Sequence, residues 1–108
     1  MLHELRVYRC LTGLLPNLLA RFETVTLGIW ARHGIRQAGF WTTVIGPSNQ
    51  DLTYLLAWDS MAEREQKWAA FQADPEWIEK RAVTERDGPI VANIETAFLQ
   101  PTSFSSVP

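Results

Sequence analysis

Two stretches of helical periodicity, each bracketed by strand-like runs, limit this chain of 108 residues to a small set of folds. Leu2 to Cys10 sets Leu5, Val7 and Arg9 against Glu4, Arg6 and Tyr8, the two-residue period of a strand. Thr12-Gly13 turns the chain, and Pro16 stands in the first turn of the next element, where its missing N–H costs little. Leu15, Leu18, Leu19, Phe22, Val25 and Ile29 then recur at three- and four-residue intervals. This predicts one helix over about Leu14 to His33, with Gly34 at its C-terminal cap. Ile35 to Ile45 is rich in β-branched and aromatic residues and predicts a strand. A polar turn over Gly46 to Asp51 leads to a returning strand, Leu52 to Trp58. Ser60 followed by Glu63 has the spacing of a capping box and opens a helix through about Gln72. Asp74-Pro75 restarts it, with Asp74 as N-cap and Pro75 at the first helical position. Asp87-Gly88-Pro89 ends that helix, and Ile90 to Leu99 is the last strand.

The order β-α-β-β-α-β predicts an α+β, ferredoxin-like domain over residues 1–99, one antiparallel sheet with its helices on one face. The Ser- and Pro-rich segment 100–108 reads as an irregular tail. Hydrophobic residues make up 46% and charged residues 20%, a globular balance. The net charge of −2, with Lys and Arg scattered among acids, excludes a nucleic-acid partner, which calls for a clustered basic face. Cys10 is the only cysteine, so no intrachain disulfide forms. The N-terminal residues lack the pattern of a signal peptide, and no stretch approaches a membrane span. The expected compartment is the cytoplasm.

The middle strands are apolar on both parities. Leu52, Tyr54, Leu56 and Trp58 oppose Leu55 and Ala57, Trp41 and Ile45 oppose Phe40 and Val44, and Ile90, Ala92, Ile94 and Phe98 oppose Val91, Ala97 and Leu99. Helices cover one face, so the other is expected to pair with a second copy in a homodimer. The alternative is a tail folded over that face, although it offers only Phe104 and Val107 as sizeable apolar groups.

Four segments in order, His33-Gly34-Ile35-Arg36-Gln37-Ala38-Gly39-Phe40-Trp41-Thr42, Tyr54 to Trp58, Trp68 to Trp77 and Asp87 to Ile94, closely resemble the NIPSNAP domain. The resemblance runs from about Leu2 to Phe98 and implies the dimeric α/β-barrel superfamily, in which two ferredoxin-like sheets pack together. Animal members are linked to mitochondria, vesicular traffic and mitophagy signalling. The family supplies no catalytic set to carry over.

Five tryptophans are many for this length. Aromatics at such spacings are more often core or interface than ligand contacts. In related barrels, however, the cavity lies between sheet and helices. His33 ends the inward helical stripe, and Trp41, Tyr54 and Trp58 are read as one wall facing His33 and Trp68. These five are the candidate pocket residues. Two histidines without a cysteine cluster or H-x-x-x-H spacing predict no metal site. No phosphate loop, G-x-S-x-G or dinucleotide fingerprint is present, and no cofactor is expected. A homodimeric barrel that binds a small apolar or aromatic molecule, or a partner protein, is the favoured reading. The alternative is a cofactor-independent monooxygenase-like enzyme on an aromatic substrate, with His33 or Tyr54 as base. A haem protein with His33 as sole axial ligand ranks third.

Overall fold

The computed structural model describes all 108 residues. In chain order it contains β1 (Leu2–Cys10), α1 (Leu15–Arg21), a π-helical turn (Phe22–Thr26), α2 (Leu27–His33), β2 (Arg36–Thr42), β3 (Asp51–Trp58), α3 (Met61–Gln72), α4 (Pro75–Thr84) and β4 (Val91–Leu99). The four strands form one antiparallel sheet in the order β2-β3-β1-β4, the ferredoxin-like arrangement expected from the sequence. No helix is long and apolar enough to cross a membrane.

The local signals act as their chemistry requires. Gly34 closes α2 in the left-handed region at φ 69°, and its amide bonds back into the last turn. Ser60 Oγ accepts from the Glu63 amide at 3.1 Å, while Glu63 Oε1 accepts from the Asp59 amide at 2.7 Å. Asp74 Oδ1 accepts from the Glu76 amide at 2.8 Å, so Pro75 starts a new helix instead of ending the fold's helical layer.

Strand β2 is shorter than its composition suggested. It ends at Thr42, and Val44 and Ile45 stand in the following loop, 95% and 96% exposed, so they oppose nothing in the sheet. A register shift between Gln37 and Phe40 sets Phe40 opposite Tyr54 and Trp41 opposite Thr53. Gly39 in this bulge has φ 119°, a conformation that side chains disfavour. A Cβ there would also stand 2.6 Å from the Trp41 ring.

Downstream of Phe22 the helix departs from a simple stripe. In the π-turn the Leu27 amide reaches back five residues to the Phe22 carbonyl, which inserts one extra residue and rotates everything downstream. The buried positions become Leu15, Leu18, Arg21, Phe22, Thr26, Ile29 and Trp30. Leu19, expected inside, is 36% exposed.

The sheet has two unlike faces. Glu4, Arg6, Tyr8 and Cys10 of β1 and Leu52, Tyr54, Leu56 and Trp58 of β3 lie buried beneath the helices. Aromatic rings dominate this layer: Phe22, Trp30, Phe40 and Tyr54 pack at centroid distances of 4.8–6.3 Å. Such pairs each contribute about 0.5–1.5 kcal/mol beyond their buried area. The opposite face carries Leu5 flanked by Leu55 and Ala97, and Val7 flanked by Thr53 and Glu95. Segment 100–108 carries no helix or strand. Pro101, Ser105 and Val107 meet this face at His3, Leu55 and Leu99, while Phe104 is 87% exposed.

Candidate functional site

Alternation along β1 sends its polar residues, not Leu5 and Val7, under the helices. A buried charged network results. Glu4 is fully buried, and its carboxylate accepts from Arg6 Nη1 at 2.9 Å, Trp58 Nε1 at 3.1 Å, and Arg64 Nε and Nη2 at 3.2 Å each. Burial by itself would raise the Glu4 pKa, but the hydrogen bonds from Arg64 and Arg6 outweigh it and hold the group ionised below its usual range. Arg6 also donates from Nε to Tyr54 Oη at 2.8 Å and from Nη2 to Tyr8 Oη at 3.1 Å. Its guanidinium lies 4.7 Å from the Trp68 ring centroid. Tyr54 Oη donates to Tyr8 Oη at 2.9 Å. Tyr8 therefore accepts two bonds and keeps its own proton to give.

Beside this network, between sheet and helices, lies a cavity of about 360 Å³. Arg21, Phe22, Thr26 and Trp30 reach it from α1, the π-turn and α2. Trp68, Phe71 and Gln72 reach it from α3, and Trp77 and Arg81 from α4. Arg6, Tyr8, Glu85, Pro89 and residues Val91 to Ile94 complete the wall. Ile94 is 45% exposed and the Arg81 side chain 52%, so the cavity opens between α4 and β4.

Of the five residues expected to meet in a pocket, the structure places Trp68 on this wall. Tyr54 and Trp58 stand one layer behind, bonded to Arg6 and Glu4. Trp41 is elsewhere. It is 52% exposed on the far face, opposite Thr53, because the Gly39 bulge gives the inward position to Phe40. It borders a separate hollow at the β2 edge, beside Leu19 and Leu27. His33 does not face the cavity either: its Nε2 lies 2.7 Å from Asp74 Oδ2, across the junction between α3 and α4. His33 is the last residue of α2, and the end of that helix meets the Asp74 N-cap of α4.

The alternative of His33 or Tyr54 as a base meets the same geometry. Burial pushes the Tyr54 hydroxyl well above its usual pKa, so it remains protonated inside a closed network. Burial likewise raises the Cys10 thiol, which is no activated nucleophile. No three His, Cys, Asp or Glu side chains converge as a metal site would require. The residues that sequence reasoning missed are Arg6, Tyr8, Arg21, Trp30 and Trp77. The visible signal was the charged parity of β1, Glu4-Arg6-Tyr8, set against apolar neighbours.

The NIPSNAP family model matches residues 3–106. The chain belongs to the NIPSNAP family. An uncharacterized NIPSNAP domain protein from Burkholderia xenovorans is 30% identical, with 97% of this chain and 98% of that one covered at a TM-score of 0.82. A NIPSNAP family protein of unknown function from Agrobacterium tumefaciens is 28% identical, covering 100% of this chain and 94% of that one at a TM-score of 0.87. A putative antibiotic biosynthesis monooxygenase from Nitrosomonas europaea is similar in fold alone, at 9% identity, coverage of 94% and 98%, and a TM-score of 0.63. No curated protein matches this NIPSNAP chain in sequence.

Proposed function

We propose that this NIPSNAP domain binds a small aromatic molecule in the cavity between its sheet and helices, and works as a homodimer. The observation that carries the reading is the cavity itself, about 360 Å³ walled by Phe22, Trp30, Trp68, Phe71 and Trp77. That volume lies within the range of small-molecule sites. A cavity of about 150 Å³ suffices for benzene, so a two-ring compound fits this one. The Glu4-Arg6-Tyr8-Tyr54 network supports the wall as a rigid scaffold, because its members bond one another and only the Tyr8 proton is left to give. The apolar far face around Leu5, Val7 and Leu55 supports pairing of two sheets into a dimeric α/β barrel. A reducing, cytoplasmic setting suits Cys10, which is buried and unpaired.

Binding without turnover is the simpler chemistry here, since the one carboxylate on the wall, Glu85, is engaged by Arg21 and Arg81. The test is an NMR screen of one- and two-ring aromatic compounds against the labelled protein. Binding should shift the indole N–H signals of Trp30, Trp68 and Trp77 and leave Trp41 unmoved. Shifts confined to Trp41, or none at all, would refute the reading.

A further inference from the structure

Three buried donors in this molecule have no protein acceptor: Arg21 Nε, Trp30 Nε1 and Trp77 Nε1. All three side chains line the same cavity. They are 6%, 2% and 7% exposed, so each unbonded donor carries a desolvation cost that a ligand acceptor would remove. The two arginines inside the fold are held very differently. Arg6 makes donor bonds of 2.8–3.1 Å to Tyr54, Glu4 and Tyr8. Arg21 has only long contacts, 3.3 Å to Glu85 Oε1 and 3.4 Å to Thr84 Oγ1. It also shares Glu85 with Arg81, whose Nε lies 3.3 Å from Oε2 of that same carboxylate. Arg81 is half-exposed and solvated, so Arg21 is the buried cation at the α4 end of the cavity, and its one anion is this shared, loosely held carboxylate. Arg21 lies 5.4 Å from the Trp77 ring centroid, which brings its free Nε–H and the Trp77 N–H to the same end.

We infer that the cavity recognises a flat aromatic carboxylate, its ring among Trp30, Trp68 and Phe71 and its carboxylate at Arg21 and Trp77. This rests on the proposed small-molecule site and names the chemistry of its ligand. A carboxylate supplies the acceptors that Arg21 Nε and Trp77 Nε1 lack, pairs with the weakly held Arg21 guanidinium, and leaves the Glu4–Arg6 bonds untouched. The Tyr8 proton provides a further donor on the sheet side.

Calorimetric titration with naphthoate and with the isosteric, neutral naphthamide separates small-molecule binding from carboxylate recognition. Naphthoate should bind at least about tenfold more tightly, as expected for bonds to a charged acceptor. Trp77→Phe keeps a ring and removes one donor, and should cut the preference severalfold while naphthamide affinity holds. Arg21→Gln should abolish the preference; if that variant does not fold, Trp77→Phe alone decides. Equal affinity for both compounds, or a preference that survives Trp77→Phe, overturns the carboxylate assignment and leaves the binding function standing. Failure of both compounds to bind overturns the two together.

Discussion

Glu4 shows what a single buried charge does in this fold. Its carboxylate accepts four hydrogen bonds from three side chains, and removing it leaves Arg6 and Arg64 facing each other without an anion. Breaking a buried ion pair from one side costs about 3–5 kcal/mol. Glu4→Ala is therefore expected to lower stability by about that amount, read as a fall in the urea midpoint. A loss of about 1 kcal/mol or less would show the network to be dispensable. Gly39 makes a second residue-scale case. Its φ of 119° and the Trp41 ring at 2.6 Å leave no room for a side chain. Gly39→Ala should destabilise through both strain and clash, and a paired Gly39→Ala, Trp41→Ala variant should recover the clash portion alone.

At the scale of elements, the break between α3 and α4 is both a cap and a clasp. Asp74 caps α4 through the Glu76 amide, while its Oδ2 lies 2.7 Å from His33 Nε2 and accepts from Arg32 Nη2 at 2.9 Å, tying α4 to the end of α2. The His33 hydrogen bond, aided by Arg32, lowers the Asp74 pKa from the usual 3.8 to about 2, against the opposing effect of burial. A depressed carboxylate contributes stability that is complete above its unfolded pKa and fades as pH falls through the folded one. The stability supplied by Asp74 should thus be whole above pH 3.8 and vanish on approach to pH 2. Chemical denaturation across that range should show a steeper acid loss for the natural protein than for Asp74→Asn. Parallel curves would rule the clasp out. The same junction accounts for a local reading that was legible: Asp74-Pro75 has one role in a helical context, and the structure uses it so. The π-turn had no such signal. Phe22-Glu23-Thr24-Val25-Thr26 carries no residue type peculiar to a π-turn.

The whole molecule presents a sheet with one face under helices and the other apolar around Leu5, Val7, Leu55 and Ala97. The C-terminal segment meets that face at His3, Leu55 and Leu99. A homodimer through the remainder should bury more than about 1,200 Å², the low end of specific interfaces. Light scattering should give twice the chain mass of 12.3 kDa, and Leu5→Asp should return it to 12.3 kDa with the fold retained. A single-chain mass for the natural protein would exclude the dimer.

Periodicity, capping residues and turn chemistry are local properties, so the order of elements, the Gly34 and Asp74 caps and the ferredoxin-like topology were open to sequence reading. The two parities of β1 were equally plain, since alternation needs no tertiary partner. Only the tertiary structure decided which parity the helices cover, because burying Glu4 and Arg6 becomes affordable when Trp58, Tyr54 and Arg64 arrive from distant elements to bond them. It also decided where the cavity lies. A one-residue insertion after Arg21 turned Thr26 and Trp30 inward, and a bulge at Gly39 put Phe40 inside and Trp41 outside. Each is a rotation about a backbone axis set by packing across the layer, which no single segment encodes.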